Sequence, residues 1–190
     1  MPFIKTDFPG LLVFEPRVFE DSRGYFFESY NRESFVNEGV DFTFVQDNQA
    51  KSCYGVIRGL HYQLPPFAQT KLVRTLQGSI LDVVVDLRVG SPTYGKVYSI
   101  ELSADNKKQL LVPKGFAHGY SVLSQTSEVM YKCDAFYNKQ SEGGLYYADP
   151  TLHIDWQIPA EKAIVAEKDM DNPTLENIVN TFVFDAETGS

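Results

Sequence analysis

The chain is written in short stretches of alternating apolar and polar residues, with little of the 3.6-residue period that marks an amphipathic helix. Ser79 to Arg88 is the clearest stretch. Ile80, Asp82, Val84 and Asp86 fall on one side of an extended chain, and Leu81, Val83, Val85 and Leu87 on the other. One side is apolar throughout, while the other mixes two carboxylates with two aliphatics. Similar runs cover Gly24 to Tyr30, Thr43 to Ala50, Gln69 to Leu76, Lys96 to Leu102, Gln109 to Val112, Gly119 to Leu123 and Glu128 to Asp134. Turn signals such as Gln77-Gly78, Gly90-Ser91-Pro92 and Pro113-Lys114-Gly115 separate them. Eight or more short strands with no long helix between them predict an antiparallel sandwich or jelly roll.

Helical signals are few. Asn31 is placed to cap a helix over Arg32 to Asn37, with Gly39 just beyond it, and the stretch from Pro173 to Ile178 can open a C-terminal helix at its proline. No internal repeat, linker or low-complexity segment interrupts the chain. Its 190 residues are expected to form a single domain over 1–190, with tails at both ends, the last from Thr174 to Ser190.

Composition narrows the partners. Hydrophobic content of 43% is that of a globular protein. A net charge of -8 argues against a general nucleic-acid or membrane surface, because a phosphate backbone needs clustered Lys and Arg. Small anions remain open, since a few basic residues can converge in one pocket. The two cysteines, Cys53 and Cys133, form no CxxC pair, so neither a disulfide framework nor a structural zinc site is suggested. The N-terminus lacks a signal-peptide apolar region and no segment approaches the ~18 apolar residues of a membrane helix, so a cytoplasmic location is expected.

Candidate chemistry concentrates in Arg58-Gly59-Leu60-His61-Tyr62-Gln63, followed by Lys71 in Thr70-Lys71-Leu72-Val73-Arg74. A cation, a base near neutrality and a second cation on neighbouring strand-like segments suit removal of a proton beside a carbonyl in an anionic substrate. The chain has only His61, His118 and His153. Metal-binding jelly rolls carry a His-x-His pair, whereas His61 is followed by Tyr62 and Gln63, so a three-histidine site would need every histidine present. Asp169, in Glu167-Lys168-Asp169-Met170-Asp171, reads either as a solvated loop carboxylate or as the partner that orients His61. Tyr131 and Tyr137 flank Lys132 and Cys133; a phenol facing a base across a substrate can return a proton to the opposite side.

Six ordered segments together resemble the dTDP-4-dehydrorhamnose 3,5-epimerase family of nucleotide-sugar epimerases. They are Asp21-Ser22-Arg23-Gly24-Tyr25-Phe26-Phe27-Glu28, Gln46-Asp47-Asn48, Gly55 to Gln63, Pro113 to Tyr120, Tyr131-Lys132-Cys133 and Glu167-Lys168-Asp169. The resemblance implies a cupin-type antiparallel jelly roll with short peripheral and C-terminal helices, which works as a homodimer without metal or other cofactor. It implies that His61 is the base, Asp169 its partner, Tyr131 the acid on the other face, and that Lys71 faces the C4 oxygen of a dTDP-4-keto-6-deoxy sugar. Arg58, Arg23, His118 and Lys168 would contact the substrate, the arginines at the diphosphate. Tyr137 would stack on thymine, with Glu28, Glu142, Gln46, Asp47 and Asn48 as polar contacts, and Arg23 and Glu28 would serve the partner's site. Two alternatives remain at this stage: a single-centre epimerase of another dTDP-sugar, and a non-catalytic nucleotide-sugar-binding cupin.

Overall fold

The alternating runs become two packed antiparallel sheets in a computed structural model of the chain, which describes residues 3–186. The strands are β1 (Phe3–Lys5), β2 (Leu12–Phe14), β3 (Phe19–Asp21), β4 (Gly24–Phe26), β5 (Gln46–Cys53), β6 (Val56–Gln63) and β7 (Lys71–Gln77). They continue with β8 (Ser79–Asp86), β9 (Val97–Ser103), β10 (Gln109–Val112), β11 (Phe116–Val122), β12 (Thr126–Cys133), β13 (Glu142–Gly144) and β14 (Ile164–Val165). The first sheet runs β1-β2-β10-β7-β12-β5 and the second β13-β6-β11-β8-β9, with β14 added in parallel to β6. This is the jelly roll expected from the pattern.

Alternation decides what each face buries. Between the sheets lie Val13, Val73, Leu110, Val112 and Val129 from the first, and Ile80, Val84, Phe116, Tyr120 and Val122 from the second. Fully burying each such side chain is worth about 1.5–3 kcal/mol. The outer face of the first sheet carries Phe14, Leu72 and Leu111 and is covered by helix α1 (Arg32–Asn37) through Phe35. Asn31 caps α1 as its sequence predicts, its side chain accepting from the Ser34 N–H.

The wholly apolar side of β8 faces outward, away from the space between the sheets. Leu81, Val83, Val85 and Leu87 are covered by Leu145, Leu152, Trp156 and Phe182 from the C-terminal third. Its mixed side faces the interior, where each carboxylate is paired. Asp86 accepts from the Arg88 guanidinium at 2.9 Å and from Ser91 and Thr93 at 2.6 and 2.7 Å. Asp82 meets His118.

Two expectations change. The stretch 174–178 is a turn closed by Asn177 N–H on the Thr174 carbonyl, and Leu175 instead gives its N–H to Asp149, which fixes the chain against the second sheet. The C-terminal helix is the earlier α2 (Glu167–Met170). The run from Gly24 leaves its hairpin partner at Phe26, because β3 supplies only three facing residues. Residues 187–190 of the expected tail lie outside the described residues.

Candidate active site

A cavity of about 570 Å³ opens at one end of the space between the sheets. β5, β6, β11 and β12 line it with polar side chains, where β11 and β12 farther along carry the apolar core.

The arrangement depends on an interruption in β6. Arg58 and His61 are three residues apart, so strict alternation would turn them to opposite faces. The β6–β11 pairing shifts register here: His118 stands opposite His61 and Tyr120 opposite Arg58, so that Gly119 alone on β11 faces both Gly59 and Leu60 on β6. This bulge brings all four side chains to the cavity. Gly59 permits it, with φ of +117° and strand β11 so close that an added Cβ would lie 2.7 Å from Gly119 Cα.

The bulge leaves the Gly59 N–H without a ladder partner, and Asp169 takes it. β14 runs beside the start of β6 and feeds directly into α2, which places the Asp169 carboxylate over the bulge. Its Oδ2 accepts from Gly59 N–H at 3.2 Å, and its Oδ1 lies 2.7 Å from His61 Nε2. Of the two readings of Asp169 left open by the sequence, the structure supports the orienting partner, for the residue is 3% exposed. A carboxylate only accepts, so neutral His61 holds its proton on Nε2 and keeps Nδ1 as a free base. Burial pushes the imidazole below its ordinary value; the bond and charge of Asp169 oppose this, and the cations Lys71 and Lys168 reinforce it. His61 is therefore neutral at neutral pH.

Facing His61 from the other sheet are Tyr131 of β12 and Lys71 of β7. Burial raises the Tyr131 phenol, with Cys133 and Tyr120 adding to the effect and Arg58 opposing it, so Tyr131 keeps its proton. Burial lowers the Lys71 ammonium, and Cys133 and Asp82 partly offset this. The ammonium lies 6.0 Å from the Tyr131 ring centroid. Neither Lys71 nor Arg58 has a carboxylate partner within ion-pair distance among the described residues, where Arg58 makes one side-chain bond, from Nε to Ser52 Oγ at 3.1 Å. The cavity thus offers a neutral base on one wall, a protonated phenol on the other, and two cations without counter-ions.

At the mouth, exposed Tyr137 donates its hydroxyl to Glu142 at 2.9 Å, and Lys168 Nζ lies 3.4 Å from the same carboxylate. The Tyr137 bond, with Lys168, holds Glu142 below the usual carboxylate value although partial burial opposes it. Gln46 accepts from the Tyr137 N–H at 3.1 Å, and Asn48 lines the wall behind it. His118, 6% exposed, bonds both oxygens of buried Asp82 at 3.0 Å.

Three expected site residues stand apart from this cavity. Asp47 lies between Gln46 and Asn48, so strand alternation turns it to the opposite face, where Lys132 Nζ binds it at 3.0 Å. Arg23 pairs with Asp21 on the exposed β3–β4 hairpin, and Glu28 accepts from Asn31 beyond it. Conversely, Gln63, Gln69 and Tyr120 line the cavity although the sequence assigned none of them a role. The glycine inside β6 was the available signal, since it marks a bulge and a change of face. Among the described residues no group of three or more His, Cys, Asp or Glu is placed to hold a metal ion.

Comparison with known proteins agrees with this geometry. Residues 5–177 match the family model of dTDP-4-dehydrorhamnose 3,5-epimerase. A protein of that name from Shigella flexneri is 49% identical over 172 residues, 90% of this chain and 94% of its own length. Among solved structures, the dTDP-4-dehydrorhamnose 3,5-epimerase of Elizabethkingia anophelis superposes with a TM-score of 0.90 at 52% identity, covering 93% of this chain and 97% of its own. The dTDP-6-deoxy-D-glucose-3,5-epimerase of Legionella pneumophila, solved in complex with dTDP-4-keto-L-rhamnose, gives a TM-score of 0.88 at 41% identity, covering 98% of this chain and 96% of its own.

Proposed function

The chain belongs to the dTDP-4-dehydrorhamnose 3,5-epimerase family, and we propose that it inverts C3 and C5 of dTDP-4-dehydro-6-deoxy-D-glucose to give dTDP-4-dehydro-L-rhamnose. It is an isomerase of dTDP-L-rhamnose biosynthesis, and residues 1–190 act as one epimerase domain. The observation that carries the chemistry is His61, held by the Asp169 carboxylate on one wall, with Tyr131 on the opposite wall.

The C4 ketone acidifies the hydrogens on C3 and C5. His61 Nδ1 takes one of them, and the electron pair moves into an enolate whose oxygen lies against the Lys71 ammonium. Asp169 stabilises the imidazolium so formed. Tyr131 then delivers a proton to the opposite face of the same carbon, inverting it. Because both carbons flank one ketone, a single set of groups serves both, and proton exchange with solvent resets His61 and Tyr131 between the steps. Burial suits each group to its part: it keeps His61 unprotonated and Tyr131 protonated at the same pH.

Binding is assigned to the surrounding cations and the mouth. Arg58, His118 and Lys168 would receive the diphosphate side of the substrate and Tyr137 the thymine, with Glu142, Gln46 and Asn48 as polar contacts. Arg23 and Glu28 would complete the site of a second copy in a homodimer. Their exposure outside this chain's own cavity, on and beside a hairpin that also presents Phe19, Tyr25 and Phe26 to solvent, supports that assignment. The two free thiols, Cys53 and Cys133, support a cytoplasmic location.

The test is proton NMR of dTDP-4-keto-6-deoxyglucose with the protein in deuterium oxide, repeated with chelator. Deuterium at both C3 and C5 in either condition is expected. Exchange at one carbon only would make the protein a single-centre epimerase. Binding without exchange would make it a binding module.

A further inference from the structure

Tyr120 sits on β11 opposite Arg58 of β6, and both line the cavity. Its ring belongs to the apolar core between the sheets and the residue is 4% exposed. Its hydroxyl, shielded from solvent, makes no hydrogen bond of good geometry, and the nearby Ser52 hydroxyl already accepts from Arg58 Nε. The described residues contain four such unpartnered buried side-chain atoms, the others being on Thr70, Ser127 and Asn172. Tyr120 alone among these four lines the cavity. A phenylalanine would fill the same core position without stranding a polar group, so the oxygen adds desolvation cost and no packing.

The neighbouring Arg58 has the matching deficit. Its Nε bonds Ser52, and its charge lacks a carboxylate among the described residues. Burial raises the Tyr120 phenol, against the opposing charge of Arg58 and the Ser52 hydroxyl, so the group keeps its proton and can donate it to a hydrogen bond. Two donors on adjacent strands therefore share one wall with only the Ser52 hydroxyl, and no carboxylate, to receive them. What completes both is an anionic oxygen brought in by the ligand.

We propose that Tyr120 is a further substrate-binding residue, whose hydroxyl joins the Arg58 guanidinium in a two-donor subsite for a phosphate oxygen of the nucleotide diphosphate. The inference rests on the functional reading above, and it separates Tyr120 from Tyr131. The two phenols enter the same cavity from opposite sheets, one to hold the anion and the other to transfer a proton.

The experiment compares wild type with Tyr120→Phe, which keeps the ring and removes one oxygen. Calorimetric titration with dTDP should show binding weaker by about tenfold, the scale of one hydrogen bond to a charged group. Titration with thymidine should be unchanged, and kcat should be retained while KM rises. Tyr131→Phe is the contrasting variant: it should lose turnover and keep dTDP affinity. Combining Tyr120→Phe with Arg58→Ala should cost less than the sum of the single losses, because both donors hold one group. Equal dTDP affinity in wild type and Tyr120→Phe, with wild-type epimerisation intact, overturns the subsite and leaves the enzyme assignment standing. A fall in kcat at unchanged dTDP affinity also overturns it, by placing the hydroxyl in the chemical step. Failure of the wild type to exchange any substrate proton would remove the functional reading itself.

Discussion

Asp169 holds the His61 ring with one carboxylate oxygen and the backbone of the β6 bulge with the other, so position and protonation of the base depend on one side chain. The acting form of His61 is neutral and its value lies below 6.5. Activity should therefore persist as pH falls through 6.5 and decline only at lower pH, once the imidazole is protonated. Asp169→Asn removes the charge that opposes the lowering, and its amide can turn an N–H toward Nε2, which moves the imidazole proton to Nδ1. The acid limb of kcat/KM should move to still lower pH, while kcat falls by about 10²-fold because the tautomer is no longer fixed nor the charged form stabilised. A pH–rate profile measured on both proteins tests this, and a limb above 6.5 in wild type would contradict it. The reacting groups were legible as residues because the chain is sparing with histidine and places His61 between two cations. Their partners were less so: Asp82 binds His118 across neighbouring strands, a contact that neither residue's own segment discloses.

Among the elements, β6 departs most from the regular pattern. Period-two reading located most of the strands and, for β8, separated its two faces correctly, since alternation is a property of any extended chain. It could not say which face looked inward, because that depends on the C-terminal third folding over Leu81, Val83 and Val85. Nor could it place Arg58 and His61 together, since the bulge at Gly59 breaks the period between them. Gly59→Ala tests that device. The new methyl would meet the β11 backbone in a conformation disfavoured for alanine, costing at least about 2 kcal/mol. Denaturant unfolding should report the loss, and turnover should fall further than stability explains as His61 moves from Asp169. A variant as stable and active as wild type would show that β6 accommodates the side chain without its glycine.

At the scale of the whole molecule, the β3–β4 hairpin carries Arg23, with a side chain 88% exposed, away from this chain's own cavity. If it acts across a dimer, Arg23→Ala and His61→Ala damage different halves of each composite site. Mixing the two nearly inactive variants should then restore up to about one quarter of wild-type activity, because half the dimers formed at random are mixed and each holds one intact site. An equimolar mixture no more active than its components would place Arg23 outside the partner's site. The two-sheet architecture itself has another consequence. Base and acid belong to opposite walls, and the apolar side chains of Val73, Val84, Val122 and Val129 keep those walls apart. Facing sheets pack roughly 10 Å apart, a gap that admits one sugar ring between two side chains. The hydrophobic core is thus also a spacer: the volumes of residues that touch no ligand set how far a proton must travel on either side of the ring.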